Sequence, residues 1–198
     1  MDLRTEIERF REWASTQPQD YGEWECDYDE WSDLYAAVEE VLSAPDLSET
    51  DIGYLLYALA RDNECEIIRD MLEEYVVNSL RLAQAAVSYP DPDARWQVAV
   101  FLGTQIEAES CALLRCYTQD SHEYVRRRAL LASMRHDPKY AERTARLWLT
   151  VPDDYSRLAA LTVLHELNSS HLKEARVQLQ DDSFVYVREM VDKIRDEA

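Results

Sequence analysis

Asp120–Met134, DSHEYVRRRALLASM, decides how the chain is read. It runs from an acidic residue through a short cap to Val125-Arg126, and then to small apolar residues at Ala129 and Ala132. The same order returns along the chain: Arg95, Arg126, Arg157 and Arg188 stand 31 residues apart. Three residues after each arginine come Val98, Ala129, Ala160 and Val191, and three further on Phe101, Ala132, Val163 and Ile194. Offsets of three lie on one side of a helix, so each arginine heads an apolar helical stripe. Four arginines in register with two apolar columns make a repeat. A fixed period of this size predicts stacked supersecondary units, none of which can bury its apolar face alone.

These units resemble short, bacterial-type HEAT-like repeats, each a helix carrying Val-Arg and small residues, a tight turn and a second helix. The resemblance covers residues 91–198 best. The general HEAT period is longer, about 40 to 47 residues, so this is a compact variety. It implies an all-α fold, an α-solenoid of antiparallel helix pairs. The whole of 1–198 is then one superhelical domain, with acidic N-terminal helices in 1–90 and regular repeats in 91–198. It also implies a ladder in which an Asp six residues before the Arg bonds the Arg of a neighbouring unit. Asp120–Arg126 and Asp182–Arg188 keep that spacing, whereas Arg157 has Val151 and Arg95 has Tyr89 there, so an incomplete ladder is expected.

Working outward, Leu3 to Ser15 reads as an amphipathic helix with Leu3, Ile7 and Phe10 on one stripe, ended by Pro18. Ser48 to Asp51 is a helix-capping signal before an apolar segment, 52–60, that should be central. Helices are expected over 64–75 and 78–87, then over 93–103, 107–118, 122–135, 139–149, 154–167, 171–180 and 184–196. The charged last segment, through Glu197, fits a polar terminal cap. Only three glycines leave little material for sheet turns.

The net charge is −19, with 22 acids and 6 bases in residues 1–90 against 18 acids and 15 bases in 91–198. Such a field repels nucleic acid and anionic membranes and attracts basic partners. Its densest part is GEWECDYDEWSDLY, residues 22–35, without a single Lys or Arg. Trp24, Tyr28, Trp31 and Tyr35 are spaced 4, 3 and 4 apart, which places them on one face of a helix. They either close the first hydrophobic layer or, ringed by Glu23, Glu25, Asp27, Asp29, Glu30 and Asp33, anchor a partner.

Catalytic readings are weak. His165 and His171 are six apart across Asn168-Ser169-Ser170, not the four a helical zinc motif requires. There is no glycine-rich phosphate loop and no nucleophile elbow. Consecutive Arg126, Arg127 and Arg128 point about 100° apart on a helix and form no single patch for nucleic acid. Cys26, Cys65, Cys111 and Cys116 are expected reduced, buried or half-buried, and without a metal. No ~20-residue apolar run spans a membrane, and the polar start is unlike a signal peptide, so a cytoplasmic location is expected.

The expectation is a non-catalytic binding module, monomeric and without cofactor. Its basic protein partner would meet Glu23, Trp24, Glu25, Asp27, Asp29, Glu30, Trp31 and Asp33. Small, strongly acidic proteins of this kind resemble, as a class, immunity proteins that neutralise basic toxins. A generic cytoplasmic adaptor or scaffold is the alternative, and a HEAT-like enzyme of the DNA glycosylase or bilin lyase type the weakest reading.

Overall fold

The structure is a computed structural model and describes residues 2–18, 23–105 and 107–196. Gly22 and Glu197 lie outside them. The described residues form twelve α-helices and no strand: α1 (Leu3–Ala14), α2 (Trp31–Leu42), α3 (Glu49–Arg61), α4 (Ile67–Leu72), α5 (Val76–Ala86), α6 (Pro92–Leu102), α7 (Ala108–Tyr117), α8 (Glu123–Ser133), α9 (Pro138–Trp148), α10 (Asp154–Glu166), α11 (Leu172–Leu179) and α12 (Val185–Asp196). A 3-10 helix, Trp24–Asp27, precedes α2. No helix among the described residues is long and apolar enough to cross a membrane. The fold is all-α, and its contacts gather into two compact units, Met1–Thr104 and Gln105–Ala198.

In the first unit α3 is the central element, packing against α1, α2, α4, α5 and α6. Its residues Leu55, Leu56, Ala58, Leu59 and Ala60 are buried, as an apolar surface nearly all round requires. Ser48 and Asp51 form a reciprocal capping box at its start. The helix expected over 64–75 is shorter than its pattern. Glu66 adopts a left-handed conformation with φ 56°, and the buried Asp62 carboxylate accepts the Ile68 amide at 2.6 Å. A side chain therefore starts α4 where backbone would otherwise have continued. Adjacent Glu73 and Glu74 follow Leu72, where acids oppose the helix dipole.

Four helices carry the register arginines, and they begin at Pro92, Glu123, Asp154 and Val185, again 31 residues apart. Each arginine makes the same contact. Arg95 donates through one guanidinium nitrogen to the Tyr89 and Pro90 carbonyls, at 2.7 and 2.9 Å. Arg126 donates to those of Asp120 and Ser121, at 2.8 and 3.0 Å. Arg157 reaches the carbonyls of Val151 and Pro152, at 2.9 and 3.0 Å, and Arg188 those of Asp182 and Ser183. The acceptors are always the backbone oxygens six and five residues back. Loop carbonyls ahead of a helix have no ladder partner, and a guanidinium supplies one. This contact does not depend on the residue type six positions earlier, since Tyr89 and Val151 serve as well as Asp120 and Asp182, and it stands beside the expected side-chain ladder between neighbouring units. The side-chain rung forms between Arg157 and Asp182, as a two-pronged ion pair at 2.7 and 2.8 Å.

In the second unit α8, α10 and α12 pack side by side, with α9 against α8 and α10. Ala129 and Ala160 are fully buried, as are Val125, Val163 and Val187, so small and branched residues set the close approach. Ala132 is only half-buried. The core is Leu130, Ala145, Leu161, Leu164, Leu179 and Ile194 with their neighbours. Tyr124 and Tyr155 hold Arg127 between them, at 5.3 and 5.1 Å from its guanidinium carbon to the ring centres. Asn168, with φ 50°, makes the tight turn that separates His165 from His171.

Candidate functional site

The acidic segment is built on Phe10, which α1 presents with no exposure at all. Around it stand Tyr28 at 4.9 Å, Trp31 at 5.4 Å, Trp13 at 5.5 Å and Trp24 at 6.2 Å between ring centres. Trp13 and Trp24 stack at 5.7 Å with 17° between planes. One continuous helical face over 24–35 is not what forms. Tyr28 is extended, with ψ 117°, and the Trp31 indole donates to the Glu25 carbonyl at 2.9 Å. That carbonyl also accepts the Tyr28 amide at 3.1 Å, closing the 3-10 turn, so it serves the turn and the indole where a continuing α-helix would have offered it the Asp29 amide. The break also leaves Glu30 and Asp33 at the start of α2, where the helix dipole favours acids.

The eight residues expected to meet a partner do not share one environment. Trp24 is 9% exposed and belongs to the aromatic core, so it is a packing residue and not an exposed anchor. Trp31 is half-buried and stacks on Tyr35 at 5.2 Å. Glu25 is buried, with Arg61 at 3.4 Å. Burial pushes its carboxyl above the usual carboxylate range, while its own backbone amide and Arg61 pull the other way. Glu23, Asp27, Asp29 and Glu30 are exposed and Asp33 is half-exposed. Arg9 gathers Glu6, Glu30 and Asp33 at 2.8, 2.9 and 3.6 Å. Those three carboxylates are also the one group among the described residues whose oxygens converge closely enough to hold a metal ion. The guanidinium of Arg9 already lies against all three, so the cluster carries its own cation.

The exposed acids that remain are joined by one from a distant stretch. Glu23 and Glu64 both act on the Cys26 thiol, as does the thiol of Cys65, with burial as the main cause raising it. Glu64 thus comes near enough to Cys26 to raise its thiol, although 38 positions separate them. Nothing in the sequence pattern signals this, because α3 brings the two stretches together. Three cysteines depart from expectation as well: Cys26, Cys65 and Cys116 are exposed, whereas Cys111 is half-buried as expected. Arg61 is the other residue that sequence reading misses. It reaches Glu25 and the Asp91 carboxylate, and Asp91 in turn accepts the Asp93 amide at the start of α6. A scan against protein-family models finds none that matches the chain, and a search of curated proteins finds no matching sequence.

Proposed function

We propose that the chain is a non-catalytic protein-interaction module built from HEAT-like helical repeats, and that the acidic face of its first unit binds a basic protein. The observation that carries this reading is the exposure of Glu23, Asp27 and Asp29 on the segment whose Trp24 and Tyr28 rings pack on Phe10, with the exposed Glu64 near enough to act on Cys26 in that segment. Residues 1–104 hold 24 acids and 7 bases, and 105–198 hold 16 and 14. Folding calls for no such imbalance, and self-repulsion makes it slightly unfavourable. The repeat reading draws support from the equal spacing of four helix starts and from the four identical arginine–carbonyl contacts. With Trp24 and Glu25 buried, the proposed contact surface is narrower than the sequence implies. Its electrostatics supply orientation and association rate, and apolar contacts must come from the partner's fit to the rim. An immunity-type protein holding a basic toxin is the tightest form of this reading.

Affinity capture with the full chain tests it, at ~50 mM and ~500 mM salt, where charge-driven binding differs most. The reading requires a basic protein that is recovered at low salt and lost when Glu23, Asp27, Asp29 and Glu64 become amides. Recovery of only acidic or neutral proteins, unchanged in that variant, contradicts it.

A further inference from the structure

The chain has 40 acids to 21 Lys and Arg, yet several arginines make no ion pair among the described residues: Arg126 and Arg188 bond backbone carbonyls, and Arg11 lies over the Tyr57 ring, 4.3 Å from its centre. Arg4, Arg9, Arg61, Arg69, Arg81, Arg115, Arg127 and Arg157 all make ion pairs. Arg143 and Arg146 make none among the described residues, and both are exposed on α9. They stand three apart, one turn along the same side, and Leu147 beside them is 73% exposed. The nearby acids are engaged elsewhere: Asp137 holds Arg115, and Glu142 accepts the Ser169 hydroxyl. Arg143 lowers the Asp137 carboxyl only as a lesser contribution to what Arg115 does.

These residues form one wall of a groove of about 400 Å³ between α9 and α11. Leu149 and Ala175 give it an apolar floor. His171, Glu174 and Gln178 line the α11 side at helical spacing, and Glu174 is the one carboxylate on the groove, 4.0 Å from His171. An apolar slot with two unengaged guanidinium forks on its rim matches a carboxylate-bearing chain that also offers an apolar side chain. We infer that the groove between α9 and α11 binds an acidic peptide segment, with an apolar side chain over Leu149 and Ala175 and carboxylates on Arg143 and Arg146. The acidic face does not enter this assignment, which extends the proposed function to a second partner of opposite charge. The second unit is close to neutral, with 16 acids and 14 bases, so its own field does not forbid such a ligand.

The test uses the full chain and a fluorescein-labelled Glu/Leu peptide of about four helical turns. A Lys/Leu peptide of the same order is the control. Fluorescence anisotropy at ~50 mM salt, where the screening length is longest, should show binding of the Glu/Leu peptide only. R143E/R146E should weaken it by about tenfold or more, with an unchanged melting temperature, because both arginines are exposed. L147D should weaken it separately, and the amide variant of the acidic face should leave it unchanged or tighter. That last arm separates failure here from failure of the proposed function. Equal peptide binding by wild type and R143E/R146E would overturn the assignment. So would full displacement of the peptide by pyrophosphate, which would make the ligand a phosphate. So would self-association that R143E/R146E abolishes while no peptide binds, which would make the occupant a second copy.

Discussion

Arg157 and Arg126 occupy equivalent positions in the register, yet their replacement should differ in cost. Arg157→Ala leaves the Asp182 carboxylate without its cation in a nearly buried setting, and a loss of about 3 kcal/mol is expected. Arg126→Ala removes only two bonds to backbone carbonyls in a half-exposed position, so about 1 kcal/mol is expected. Equal losses in urea unfolding would mean that the ion pair adds nothing to the carbonyl contact. The Arg157 guanidinium also holds the Asp182 carboxyl below the usual carboxylate range. A depressed folded value means that this stabilisation is present above the unfolded value, about 3.9, and is lost as pH falls through the folded one. Acid titration of melting should therefore show a smaller loss for Arg157→Ala than for wild type below ~pH 4. Trp24→Ala should cost about 3 kcal/mol or more, because it empties a ring site against Trp13 and Phe10. Unchanged melting with lost partner binding would return Trp24 to the role of surface anchor.

At the scale of the helix, Ala160 shows what the register is for. It is fully buried in α10, which packs against α8, α9 and α12. Ala160→Leu should cost about 1–3 kcal/mol through overpacking. A stable, cooperative variant would show that these helices have room the structure does not record. The helices carrying the register were legible in the sequence because apolar periodicity and repetition agree there. α6 and α8 to α12 fall within two residues of expectation. The two regions misread are those where a side chain replaces a backbone partner. Trp31 takes the Glu25 carbonyl and interrupts 24–35, and Asp62 takes the Ile68 amide and delays α4. Spacing alone cannot report such competition, because both partners are brought together by tertiary packing. The candidate site suffered for the same reason: acidic density was visible, but the burial of Trp24 and Glu25 and the arrival of Glu64 depend on α1 and α3.

For the whole molecule the charge imbalance, −17 in residues 1–104 from 24 acids and 7 bases, is what a binding role explains and folding does not. If the acidic face steers a basic protein, its effect belongs to the encounter rate more than to the lifetime of the complex. Stability should respond in the opposite sense, since removing like charges relieves self-repulsion. The most direct measurement is the association kinetics of wild type and of the Glu23→Gln, Asp27→Asn, Asp29→Asn, Glu64→Gln variant with the basic partner, across a salt series. The account predicts slower association with a flatter salt dependence for the variant, at an equal or higher melting temperature. A wild-type association rate and a wild-type salt slope in that variant would contradict it.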